Sequence, residues 1–147
     1  MTQFYYLSAK HPLEIGTFGE IKKLSNKGNN VFANTVDEAS ITIKKLADSP
    51  LSNLSYPCQY EVMAHLGDFG ANKDKANELD KKCLQTLLEY VQIAIQKSFV
   101  VEFYTAWAGE EELSVEEVRE LTIDELTDSS QLKLENRGKL IIYRQKY

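Results

Sequence analysis

One stretch constrains this chain more than any other: DKANELDKKCLQTLLEYVQIAIQK, residues 74–97. Its apolar residues fall at 76, 79, 83, 84, 87, 88, 91, 94 and 95, and polar ones at 78, 82, 85, 89, 92 and 96. That spacing gives a wide apolar stripe with a polar back, the pattern of a helix laid on a core. At 1.5 Å per residue the helix would run about 36 Å, with Asn72 or Asp74 placed to cap its start. Such a stripe needs an apolar layer beneath it, and the sequence offers a sheet. QFYYL (3–7) reads as a strand on its aromatics, and VFAN (31–34) as a short one. VDEAS (36–40) fits either a turn or a short helix. ITIKKL (41–46) alternates at first, and its charged tail suits an exposed edge. YEVMAHLG (60–67) alternates cleanly, with Tyr60, Val62, Ala64 and Leu66 on one face and Glu61, Met63 and His65 on the other. FVVEFYTAW (99–107) supplies a long strand, with Phe99, Val101, Phe103, Thr105 and Trp107 on a shared face. QLKLE (131–135) and KLIIYRQ (139–145) read as a hairpin turning at NRG, with Gly138 free to take positive φ. Residues 10–30 look irregular, SPLSNLSYP (49–57) is a loop, and GDFGANKD (67–74) is a turn-rich connection. Strands around one dominant helix predict an α+β domain with a largely antiparallel sheet.

The 147 residues fit one domain, and 43% apolar content with one Trp, eight Tyr and six Phe is enough for a core. The first residues lack the basic start and apolar run of a secretory signal, and no segment approaches the roughly 20 apolar residues of a membrane span. A soluble, cytoplasmic protein is the expectation. Cys58 and Cys83 are the only cysteines and form no Cys-x-x-Cys pair. Cys83 falls in the helical stripe, which predicts a buried thiol.

The charge is unevenly spread. Residues 110–128 hold nine carboxylates and one cation, Arg119. This segment carries −8 of a net −5, leaving the rest of the chain at +3. Binding to nucleic acid phosphates is disfavoured, since that affinity comes from Lys and Arg; a basic partner is favoured. Ser114-x-x-Glu117 and Thr122-x-x-Glu125 fit the capping box, and Leu113, Val115, Val118, Leu121, Ile123 and Leu126 give apolar anchors. The segment is therefore expected as two short acidic helical turns docked on the body. Helix-dipole stabilisation of about 0.3–1 kcal/mol each would account for Glu116, Glu117, Asp124 and Glu125. It leaves Glu110, Glu111 and Glu112 unexplained. A solvated acidic face and a binding surface for a cationic partner compete as explanations. The second would use Glu110, Glu111, Glu112, Glu116, Glu117, Glu120, Asp124 and Glu125, with Trp107 as an aromatic anchor.

Catalytic signals are few. His11 and His65 are the only histidines, no ligand cluster at metal spacing appears, and neither a metal nor a cofactor is expected. Glu61, His65 and Glu102 could form an acid–base site if neighbouring strands brought them together; a hydrogen-bonded structural histidine is the plainer reading. G-x-x-G in HLGDFGAN lacks the Lys and third Gly of phosphate loops.

FYYL near the start, LEIGTFGEI (13–21), FYTAWAGEE (103–111) and LKLENRGKLIIYR (132–144) resemble immunity proteins of bacterial contact-dependent growth inhibition systems. The resemblance implies a non-enzymatic protein that binds and neutralises a toxin nuclease domain, the C-terminal part of a large secreted toxin. An RNA-cleaving toxin of the EndoU type is the implied partner. The resemblance carries no site residues. The rival readings are a small ligand-binding or enzymatic domain built on Glu61, His65 and Glu102, and an acidic adaptor for some other basic partner.

Overall fold

A computed structural model describes residues 2–24, 30–46, 50–69 and 77–145. The elements in chain order are β1 (Gln3–Ala9), β2 (Gly16–Phe18), β3 (Lys22–Leu24), β4 (Asn30–Phe32), α1 (Thr35–Glu38), β5 (Ser40–Lys45), β6 (Cys58–His65), α2 (Glu78–Ser98), β7 (Val100–Trp107), β8 (Glu117–Thr122), a 3₁₀ turn (Ser129–Leu132) and β9 (Gly138–Tyr143). Seven strands make one sheet in the order β2-β5-β6-β1-β7-β9-β8, and β3 pairs with β4 apart from it. The sheet is mixed: every pairing is antiparallel except β8 beside β9. The chain is α+β, with one long helix packed on a mostly antiparallel sheet.

The apolar stripe does what its spacing dictates. Cys83, Leu84, Leu87, Leu88, Val91, Ala94 and Ile95 are buried in one cluster with Leu7, Ile41, Ile43, Val62, Val101, Phe103, Leu140 and Ile142 from the sheet. Each fully buried Leu, Ile or Phe contributes roughly 1.5–3 kcal/mol. Cys83 is buried as its place in the stripe implied, its thiol donating to the carbonyl of Ser40. The helix starts later than the pattern suggested. Asn77 is the cap: its side chain accepts from the Asp80 N–H, and Asp80 reciprocates at the Asn77 N–H. Asn72 and Asp74, the expected caps, lie outside the described residues. At the other end Phe99 is not the first inward residue of the strand. It closes the helix at φ 65, and the Arg144 guanidinium sits 3.9 Å from its ring centroid.

Three other expectations need correction. β5 is no edge strand; β2 pairs with Ile41–Ile43 and leaves Lys44 and Lys45 beyond its reach. Residues 131–135 make no hairpin with β9. Leu132 and Leu134 are buried in the helix-side core instead, and β9 is enclosed by β7 and β8. Positive φ falls on Arg137 (φ 60), one residue before Gly138. Gly138 is required for a different reason: a Cβ there would lie 2.9 Å from the Glu135 carbonyl oxygen.

The second face of the sheet is closed by loops. Tyr6, Leu54, Tyr104 and Ala106 form a smaller core there, with Phe4, Leu46, Leu51 and Val115 packed against it. Tyr6 and Tyr104 stack with ring centroids 6.2 Å apart. No helix among the described residues is long and apolar enough to cross a membrane.

Candidate functional site

The acidic segment folds as a loop and a strand, not as two helical turns. β8 takes up Glu117–Thr122 and runs parallel to β9, with Glu117 opposite Gly138 and Thr122 opposite Tyr143. The reason is tertiary. β9 offers an unpaired edge, and a six-residue run holding Val118 and Thr122 can satisfy it; the backbone bonds gained outweigh a local cap. The first capping signature is absorbed into this strand. The second survives in part: Glu125 Oε1 accepts from both the N–H and the hydroxyl of Thr122, each at 3.0 Å, closing a single turn. Of the expected anchors, Leu126 is buried, Leu121 and Ile123 pack on the helix-side core, and Val115 packs on the loop-side core. Leu113 and Val118 are exposed.

Consequently the acidic border runs from a loop held over Tyr104 on the second face of the sheet to β8 at its edge. The loop after β7 carries Glu110, Glu111, Glu112 and Glu116 at the corner beside Trp107 and Arg137. β8, the terminal strand of the sheet, continues with Glu117 and Glu120 to the turn holding Asp124 and Glu125. Six strand residues alone extend this border by about 20 Å. Arg119, the one cation of residues 110–128, turns inward and donates through Nη2 to the carbonyls of Gln131 (3.0 Å) and Lys133 (3.4 Å).

The glutamates that local helix electrostatics left unexplained have specific partners. Glu110 Oε1 accepts from Asn136 Nδ2 at 3.0 Å and lies 3.5 Å from Arg137 Nε. Arg137 also donates through Nη2 to Glu116 and through Nη1 to the carbonyl of Ser114. Glu111 Oε2 accepts from the Gly109 N–H (2.9 Å), and Glu112 Oε2 from the Ser52 hydroxyl. Asp128 caps the 3₁₀ turn, and the Ser130 amide and hydroxyl hold its carboxyl below the ordinary range. Glu117 stands 4.0 Å from Arg119, and Glu120 lies 3.5 Å from the Tyr143 hydroxyl. Glu112, Glu116, Glu117, Glu120, Asp124 and Glu125 are exposed, while Glu110 and Glu111 are half-buried.

Trp107 is half-buried at the base of the loop. Its N–H donates to Asn136 Oδ1 and its carbonyl accepts from the Glu110 N–H, both at 2.9 Å. Its indole Nε1 is shielded from solvent and meets no acceptor among the described residues.

The Glu61, His65 and Glu102 trio does not assemble. Glu61 is on β6, with β1 between it and β7, and His65 lies four residues further along the same strand, about 13 Å away. His65 Nε2 instead sits 3.2 Å from Glu38 Oε2 at the surface. Glu102 is fully buried: Oε1 accepts from the Ser8 hydroxyl and the Ser55 N–H, both at 2.6 Å, and Oε2 lies 3.2 Å from Lys139 Nζ. This buried pair escaped the sequence reading because its members are 37 residues apart on strands joined only by the fold. Ser52, Asn136 and Arg137 were missed for the same reason, although the NRG turn was a visible clue to the last two. Among the described residues no group of three or more His, Cys, Asp or Glu is arranged to hold a metal ion. No family model, curated protein or solved structure matches the chain.

Proposed function

We propose that the chain is a binding protein that captures a basic macromolecular partner on its acidic border, and that it acts as an immunity protein neutralising a toxin nuclease. The observation that carries this reading is the exposure of Glu112, Glu116, Glu117, Glu120, Asp124 and Glu125 within one short stretch of chain. The loop over the second face of the sheet and the terminal strand β8 together carry most of them, and of the two arginines beside them Arg119 donates to backbone carbonyls while Arg137 is engaged by Glu110 and Glu116. A ribonuclease, the EndoU type being the proposed class, holds its substrate's phosphates in a cationic cleft. An anionic ledge is complementary to such a cleft and competes with the substrate for it. Association between opposite charges is steered at long range, raising rates by about 10- to 1000-fold, which suits a protector that must reach a toxin before its substrate does.

The test uses the exposed carboxylates rather than those tied to Arg137. A Glu117→Lys, Glu120→Lys, Asp124→Lys variant leaves the Arg137 pairs with Glu110 and Glu116 in place. Its association with the C-terminal domain encoded by the adjacent upstream reading frame is measured alongside growth rescue on co-expression. An association rate lowered by about 100-fold, with wild-type association falling as salt rises, is the expected result. A folded variant that binds and protects like the wild type overturns the reading.

A further inference from the structure

A neutral side chain outside the acidic loop donates to its backbone. Asn53 Nδ2 lies 2.6 Å from the Leu113 carbonyl oxygen, 2.9 Å from that of Glu111, and 3.0 Å from the Tyr104 hydroxyl. Beside it the Ser52 hydroxyl holds the Glu112 carboxylate. Two adjacent residues of one loop therefore engage three consecutive residues of the other. Residues 51–55 are in turn fastened to the sheet. The Leu51 N–H donates to Gln59 Oε1 at 2.8 Å, Leu54 is buried against Tyr6 and Tyr104, and the Ser55 N–H donates to the buried Glu102. Three successive carboxylates at 110–112 repel one another, and a loop carrying them tends to open unless something opposes the repulsion. An amide that donates to two carbonyls of that loop does so without adding charge.

We propose that Asn53 is the positioning residue of the acidic border: it clasps residues 111–113 onto the sheet and so fixes in advance the arrangement of carboxylates that a basic partner meets. The clasp rests on the reading of that border as a binding surface only for its consequence in binding. Its structural part stands alone. Preorganisation of this kind acts on affinity by removing the ordering cost at the moment of association.

The experiment uses the full chain with Asn53→Asp and Asn53→Ala. Asp keeps the size and replaces the donor by a carboxylate facing two carbonyls; Ala removes the donor without adding charge and serves if the Asp variant does not fold. Amide exchange is followed at Glu110, Leu113 and Glu116, whose N–H groups donate to the carbonyls of Trp107, Glu110 and Arg137. Trp107, the only tryptophan, gives a second local signal through acrylamide quenching. Expected are exchange at least tenfold faster at these three amides, greater quenching, unchanged exchange in α2, and a tenfold or larger loss of affinity for the upstream-encoded domain. Wild-type exchange in the loop, or faster exchange with unaltered affinity, overturns the proposal. If the Glu117, Glu120 and Asp124 reversal leaves binding intact, the partner reading fails by itself, and the exchange result still decides the clasp.

Discussion

The two faces of the sheet are closed by different means. On one, α2 lays Leu84, Leu87, Leu88, Val91 and Ile95 across Val62, Val101, Phe103 and Leu140, and burial of apolar surface does the holding. On the other, two loops meet over Tyr6 and Tyr104, and polar clasps do much of the work: Asn53 to the acidic loop, Glu102 to Ser55 and Lys139, Arg137 to Glu110 and Glu116. Each face is therefore vulnerable to a different kind of change. A helix on a sheet tolerates the loss of a surface charge and not of core volume. A loop-closed face depends on directional bonds, several of them to charged groups, and these respond to pH, salt and single polar substitutions.

The largest expected effect is on the helix side. Phe103 is fully buried and stacks on Tyr5 with centroids 5.8 Å apart. Phe103→Ala should lower unfolding free energy by about 4 kcal/mol, the sum of lost transfer energy and the cavity left behind. Urea denaturation checks it. A loss under 1 kcal/mol would mean that the helix side is less tightly packed than its burial indicates.

Next is the charged anchor of the loop side. Glu102→Ala leaves Lys139, itself nearly buried, without its carboxylate, and should cost about 3 kcal/mol. The informative variant is Glu102→Leu with Lys139→Met. Replacing both charges by apolar groups removes the desolvation cost of the pair and should recover most of that loss. It leaves the Ser55 N–H and the Ser8 hydroxyl without an acceptor, so recovery should be incomplete. Full recovery would mean that the Ser55 bond contributes nothing to holding the loop.

These variants also mark how much of the molecule was legible in the sequence. β6 and α2 declared themselves because burial on one face writes a period of 2 or 3.6 into consecutive residues, which names Leu87 as core, whereas β1 and β7, buried on both faces, showed through their aromatic and β-branched content. The acidic segment misled for a physical reason. Thr122-x-x-Glu125 makes its local bond whether or not a helix follows, and Ser114-x-x-Glu117 lost to the demand of β9 for a partner. The segment's composition was legible, and with it the acid-rich surface. Its geometry was not, because Ser52, Asn53, Asn136 and Arg137 come from loops whose polar residues have no periodicity, and a bond across 58 residues such as Asn53 to Glu111 leaves no local trace.

A third effect follows from the tyrosines. Burial first, and then the Glu111 and Glu61 carboxylates, push the Tyr6 hydroxyl up to about 12. Burial also raises Tyr104 beneath the loops and Tyr5 and Tyr90 on the helix side. A tyrosine titrates near 10 in the unfolded chain. Between pH 10 and 12 the unfolded state therefore sheds a proton that folded Tyr6 keeps, and stability falls as pH rises through that window. The slope is about 1.4 kcal/mol per pH unit for each such group. Tyr6→Phe keeps the stacked ring and removes the proton, so its stability should decline less steeply above pH 10. Equal slopes in the two proteins would show that the Tyr6 hydroxyl is not held protonated by its surroundings.

The smallest effect on stability is the most discriminating for function. Glu117, Glu120 and Asp124 are exposed on the acidic border, and exposed charges of this kind are worth roughly 0–1 kcal/mol. Neutralising all three to Gln, Gln and Asn relieves repulsion among like charges along β8 and its turn. Unfolding free energy should change by less than about 0.5 kcal/mol, with a small gain at low salt that disappears as the Debye length shrinks below about 10 Å. The same substitutions should slow capture of a basic partner, because the long-range field depends on the sum of these charges and not on any single contact. A surface that can be discharged without harm to the fold, yet not without harm to association, has its charge for the sake of something outside the molecule. A marked loss of stability instead would place these carboxylates among the internal clasps, beside Glu110 and Glu116, and would leave the border with too little unspent charge to steer anything.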